Sequence, residues 1–284
     1  MTDYFHTAVF IVIFSLLVSG CFVVPGNDVS KGEKIIVTVS ILPQKYFVER
    51  IGGDKVKVLV MIPPGASPAS YEPGPDQLRA ISEADLYIMI GAGLPFENVW
   101  MDKIRDFNKK MFVVNSSEGI QLRPSDPHVW LSPRLVKIQA ENIYRGLLQV
   151  DEKDGDYYRQ NLDKFLKDLD ELDNKIKMRI EDIKNRKFMV FHPSWSYFAQ
   201  DYGLIQIPIE VEGKEPSPGV LKHLVDTARR EDIHVVFVSP QFSTKSAEAI
   251  AREINGRVEY IDPLSYDYMS NLLRVADAIS AAGR

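Results

Sequence analysis

The stretch "KDGDYYRQNLDKFLKDLDELDNKIKMRIEDIK", residues 153–184, decides how the rest of the chain is read. It contains no proline and no glycine beyond Gly155, and Tyr158, Leu162, Phe165, Leu169, Leu172, Ile176, Ile180 and Ile183 recur in steps of three and four. That spacing lays one apolar stripe along a single helix. About thirty residues at ~1.5 Å rise make a rod of roughly 45 Å, long enough to run down two lobes of a protein. A stripe of this length must be covered, either by a second strand in a coiled coil or by the segments that flank it. The flanks carry enough apolar surface of their own, so the expectation is an intramolecular brace.

Each flank reads as a small α/β unit, because short β-rich runs alternate with helical segments in the manner of a parallel sheet. Before the brace the strands are "IIVTVS" (35–40), "KVKVLVMI" (55–62), "DLYIMIG" (85–91) and "MFVVNSS" (111–117), with helices at "PQKYFVERIGG" and "PDQLRAISEA". After it come "KFMVFH" (187–192), "IQIPIEVE" (205–212), "HVVFVS" (234–239) and "RVEYI" (257–261). Helices are expected through "SWSYFAQDYG", from Pro218 to about Arg230, at "TKSAEAIAREI" and at "YMSNLLRVADAISAA". The expected architecture is therefore α/β, with two similar parallel-sheet lobes joined by one long helix and a cleft between them. Its parts are an N-terminal lobe at 34–152, the linker helix at 153–186 and a C-terminal lobe at 187–284.

Composition narrows the function classes. With 45% hydrophobic residues in 284 the chain can bury sizeable cores, and a net charge of −5 without a basic run excludes the electrostatic footprint of a nucleic-acid binder. The single cysteine, Cys21, excludes an intramolecular disulfide and a cysteine-rich zinc cluster. It ends "AVFIVIFSLLVSGC" (8–21), which resembles a lipoprotein signal: cleavage before Cys21 and lipidation of its thiol. An uncleaved anchor helix is the alternative, supported by the lack of Lys or Arg in "MTDYFHT". Ser15, Ser19 and Gly20 interrupt the run, which is short against the ~20 apolar residues of a spanning helix. On this reading residues 1–20 are the signal and 21–33 a flexible tether, and the rest of the chain stands outside the cytoplasm, anchored to the outer face of the membrane.

Of five histidines, His6 falls in the signal, while His223 ("LKHLVD") and His234 ("DIHVVF") read as surface or edge residues. His128 lies in "SDPHVWLSP", stiffened by Pro127 and Pro133. His192 lies in "VFHPSWSYF", at the carboxyl end of an expected buried strand, where open α/β sheets place their ligands. Two histidines in matching settings, one per lobe, point to a shared site in the cleft. Asp262 in "YIDPLSY" also ends an expected strand, although Asp before Pro is equally a turn residue. Two imidazoles and a carboxylate suit Zn or Mn. The same set with an open position would serve a zinc hydrolase, but no H-E-x-x-H, G-x-S-x-G or glycine-rich phosphate motif accompanies it, and an enzyme is not expected.

The ordered motifs "SILPQKYFVERIGGD", "PPGASPASYEP", "DPHVWLSP", "FHPSWSYFAQDYGL", "EGKEPSP" and "IDPLSYDYMSNLL" resemble the zinc- and manganese-binding solute receptors of ABC importers, from Lys34 onward. The resemblance implies a monomeric receptor that holds a transition-metal ion between two Rossmann-like lobes and delivers it to a membrane permease. It implies His128, His192 and Asp262 as ligands. The family's remaining ligand, a loop histidine, falls at Ala69, which cannot bind metal. Three explanations stand: an oxygen ligand from Glu212 first, or from Glu210 or Glu72; a water; or a changed cargo, such as a metal chelate or small organic solute in a pocket widened beside Tyr71, Trp130 and Trp195.

Overall fold

A computed structural model describes residues 34–210 and 213–284. The expected signal and tether, 1–33 with Cys21, and the candidate ligand Glu212 lie outside the described residues.

The N-terminal half builds β1 (Ile35–Val39), α1 (Leu42–Gly52), β2 (Val56–Val60), α2 (Pro75–Ile81), β3 (Leu86–Met89), α3 (Pro95–Phe107), β4 (Phe112–Asn115) and α4 (Pro133–Val150). The long helix α5 is Gly155–Ile180. The C-terminal half follows with β5 (Lys187–Val190), α6 (Ser196–Tyr202), β6 (Ile205–Pro208), α7 (Pro218–Arg230), β7 (Val235–Val238), α8 (Lys245–Glu253), β8 (Arg257–Tyr260) and α9 (Tyr268–Ala282). All strand pairs are parallel, in the orders β2-β1-β3-β4 and β6-β5-β7-β8. The second sheet repeats the topology of the first, so each lobe has its switch point between its two inner strands, β1 and β3 or β5 and β7. The inner strands are apolar on both faces, as helix-covered parallel strands must be, and all of β7 is buried. The edge strands β4 and β8 leave Phe112 and Tyr260 exposed.

Two helices, α3 and α4, add to the elements expected from sequence, and both break the apolar stripe that would reveal a helix. In α3 the buried face includes Glu97, while Val99 and Phe107 face outward. Glu97 is satisfied: Oε1 accepts from the Ile90 amide at 2.6 Å and the Ser40 hydroxyl at 2.5 Å, and Oε2 from the Gly91 amide at 2.9 Å. In α4 the buried Gln139 and Asn142 dilute the pattern, and Gly146 sits where a Cβ would meet Val114 at 2.8 Å. Its start is well marked, with Pro133 in the first turn and Ser132 Oγ accepting from the Leu135 amide.

The brace is intramolecular. Tyr158, Leu162, Phe165, Leu169, Leu172, Ile176 and Ile180 are all buried along α5, which packs on α1 and α4 of the first lobe and α9 of the second. At 26 residues it is about 39 Å long, shorter than the expected rod because a separate turn, Glu152–Asp154, precedes it and the helix ends at Ile180. One continuous apolar core runs from the first sheet through α5 to one face of the second sheet, and a smaller cluster lies on the other face under α7 and α8. Direct ties cross between the lobes as well. Phe47 meets Tyr268 edge-on at 4.8 Å, Tyr266 OH donates to Glu49 at 2.7 Å, and the Arg123 amide donates to Tyr197 OH at 2.8 Å.

A shared core predicts that the lobes melt together. Leu169→Ala, in the middle of the stripe, should cost about 2–5 kcal/mol and move a single calorimetric transition to lower temperature; a split into two transitions would show that the lobes fold independently.

Candidate metal centre

The sequence "SDPHVWLSP" is pinned from both sides. Asp126 Oδ1 accepts from the His128 amide at 3.1 Å and pairs with His128 Nδ1 at 2.8 Å. Two residues beyond the histidine, Trp130 is buried and its indole N–H donates to the Pro263 carbonyl of the second lobe at 2.7 Å. His128 is thus held at the lobe boundary by a carboxylate behind it and an interlobe hydrogen bond beside it.

His192 follows the end of β5, at the switch point where β5 stands between β6 and β7. Its Nδ1 pairs with Glu210 Oε1 at 3.0 Å, and its ring stacks on Phe242 at 4.5 Å between centroids, 24° from parallel. Glu210 is itself buried, just past β6. The two imidazoles meet across the cleft with Nε2 to Nε2 at 3.3 Å.

The tautomers follow from the partners. An ionised carboxylate only accepts, so each Nδ1 facing one carries a proton, and a ring that is neutral then has its unshared pair on Nε2. Burial, together with the neighbouring His192, holds His128 below the usual imidazole range, so it stays neutral. The centre is two imidazoles, oriented from behind by Asp126 and Glu210, with their Nε2 atoms turned toward each other.

The cleft around them is roughly 550 Å³ and is lined in part by Ala69, Trp130, Glu210, Gln241 and Phe242. Ala69 does line it, so the loop residue expected to face the metal faces the cleft with a methyl group. Two aromatics expected there are elsewhere: Trp195 is fully buried against Phe198, and the Tyr71 hydroxyl donates to Gln77.

Asp262 does not converge with the histidines. It borders a neighbouring crevice of about 290 Å³ with Pro63, Gly65 and Tyr266, and its Oδ1 accepts from Gln241 Nε2 and from the Leu264 amide, both at 2.9 Å. Gln241 lines both spaces. Among the described residues no three His, Cys, Asp or Glu side chains come together closely enough to enclose an ion. His234 pairs with Asp232 on the surface.

Sequence reasoning weighed Glu210 as a ligand and missed its role behind His192; it missed Asp126, Gln241 and Phe242 altogether. Gln241 had a signal, since "SPQF" directly follows a strand at the same switch point as His192.

Residues 37–282 match the family described as zinc-uptake complex component A, periplasmic. A putative metal-binding protein of Chlamydia muridarum is 30% identical over 90% of this chain and 93% of its own length. The high-affinity zinc uptake system protein ZnuA of Bacillus subtilis is 28% identical over 88% of this chain and 85% of its own. A crystal structure of ZnuA superposes with a TM-score of 0.87 at 48% identity, covering 89% of this chain and all of that one. Members of this family are transport components that bind a substrate rather than transform it. The chain belongs to the zinc-uptake complex component A family, the extracytoplasmic solute-binding proteins that capture a divalent transition metal for ABC importers.

Proposed function

We propose that the metal is held first by the Nε2 atoms of His128 and His192, that it is zinc or manganese, and that it is passed from this cleft to the importer's permease. The facing lone pairs carry this reading. Two Zn–N bonds of about 2.0–2.1 Å meeting near the tetrahedral angle separate their nitrogens by roughly 3.3–3.4 Å, and the two Nε2 atoms stand 3.3 Å apart. Neutral imidazoles so arranged repel each other, and a cation between them turns that repulsion into two ligand bonds. Asp126 and Glu210 raise the basicity of the rings through their Nδ1–H groups.

Asp262 is the carboxylate that completes the set once it leaves Gln241, and Glu212 remains a candidate for a further oxygen. Two nitrogens and oxygens form a borderline donor set, which suits both zinc and manganese. We take Cys21 as the lipidated residue that tethers the mature, monomeric chain to the membrane beside its permease, with 34–152 and 187–284 as the lobes about the 153–186 linker. The shared core makes wide hinge opening costly, so release runs through local movement of the cleft loops.

Calorimetric titration of metal-free protein should show one zinc or manganese ion per chain, and His192→Ala should abolish the binding; no heat with either ion at micromolar protein would refute the reading. Protons compete for the same lone pairs. Affinity should therefore be full above the imidazole titration range and fall as pH drops through it, by about tenfold or more at about pH 5. Because His128 titrates low, its share of that loss sets in at lower pH than for a free imidazole. Ala69→His, which places an imidazole on the cleft wall, should tighten zinc binding about tenfold or more; unchanged affinity would mean the loop does not face the ion.

A further inference from the structure

With Ala69 contributing no donor, the cleft is one ligand short, and the structure offers another side chain on its wall. We propose that Gln241 supplies its amide oxygen as a metal ligand and thereby sets the selectivity of the cleft; the inference rests on the His128–His192 reading above.

Three observations converge on it. Gln241 lines the cleft together with His128 and His192, and it also borders the crevice that holds Asp262. Its Nε2 donates to Asp262 Oδ1 at 2.9 Å. Because a carboxylate cannot donate, the amide must present its NH2 there, which fixes the side-chain oxygen on the opposite branch. That oxygen is buried and has no hydrogen-bond partner among the described residues. A buried acceptor left unpaired is unfavourable, and a cation in the cleft relieves it.

The next residue couples the amide to the histidines. Phe242 stacks on the His192 ring, so the backbone that carries Gln241 is fixed relative to one of the two imidazoles. Gln241 then has two roles. Without metal its NH2 group holds Asp262 aside; with metal its oxygen joins the ion, and the weakened contact frees Asp262 to follow.

An amide oxygen is a harder donor than the imidazole that a histidine at position 69 would bring, and hard oxygen ligands favour manganese relative to zinc. Gln241 is thus a specificity-determining residue as well as a ligand.

The test is calorimetric titration of the full chain with zinc and with manganese, comparing wild type, Gln241→Leu and Gln241→Glu, with metal-free melting temperatures to verify folding. Gln241→Leu keeps the bulk but removes the oxygen. It should weaken manganese binding at least tenfold and zinc binding less, so that the manganese-to-zinc affinity ratio falls. Gln241→Glu restores an oxygen donor and should recover manganese affinity to wild-type strength or beyond. If wild type binds metal and Gln241→Leu retains both affinities within twofold, or loses both equally without recovery in Gln241→Glu, the assignment of Gln241 is wrong while the histidine site stands. Wild type that binds neither ion would overturn the histidine site itself, and the assignment of Gln241 with it.

Discussion

The apolar stripe of α5 has to be covered, and covering it fixes everything else. Seven large side chains along one helix face are buried by α1 and α4 from one lobe and α9 from the other. Burying a side chain of this size is worth ~1.5–3 kcal/mol, so uncovering even part of the stripe is expensive on the scale of a protein's total stability. The lobes therefore cannot drift apart as two bodies on a tether. Their shared surface continues from α5 through Phe47 and Tyr268 to Trp130 and the Pro263 carbonyl, which brings it to the rim of the cleft.

That rigidity explains how side chains from two lobes can be held in register across the cleft. His128 and His192 lie 64 residues apart and reach the cleft from different sheets, yet each has its rear nitrogen held by a carboxylate. The protein has already chosen the tautomer and the direction of each lone pair, and it keeps His128 neutral by burying it. Asp262, in contrast, is held aside by Gln241 and the Leu264 amide. On the proposed reading the preset part of the site would supply nitrogen and the adjustable part oxygen.

Much of this was legible in the sequence, for identifiable reasons. The eight strands are short apolar runs in a chain that alternates them with helices, and the steps of three and four from Tyr158 to Ile180 permit no other element than α5. The bounds of α7 follow from Pro218 at its start and the polar Glu231 and Asp232 after it, and α9 stops at Gly283. Helices α3 and α4 were not legible, since Glu97, Gln139 and Asn142 are buried where a stripe requires apolar residues; Glu97 and Asn142 are satisfied by distant partners, Ser40 and the Ser116 carbonyl, whereas the side-chain amide of Gln139 has no hydrogen-bond partner among the described residues. That His128 and His192 meet in the cleft was legible from matched proline and tryptophan surroundings, yet the two tryptophans differ: Trp130 lines the cleft and Trp195 lies in the core. Local sequence does not say which way a strand-end side chain turns. The roles of Asp126, Glu210 and Gln241 depend on hydrogen bonds that exist only after the second sheet has placed its loops.

The central claim is that two imidazoles, one from each lobe, take the ion through Nε2. X-ray absorption at the zinc edge of zinc-loaded protein tests it directly, because imidazole rings leave a characteristic outer-shell scattering pattern that oxygen ligands lack. The account predicts two imidazole scatterers at about 2.0–2.1 Å, completed by oxygens. A spectrum with one imidazole or none would contradict it.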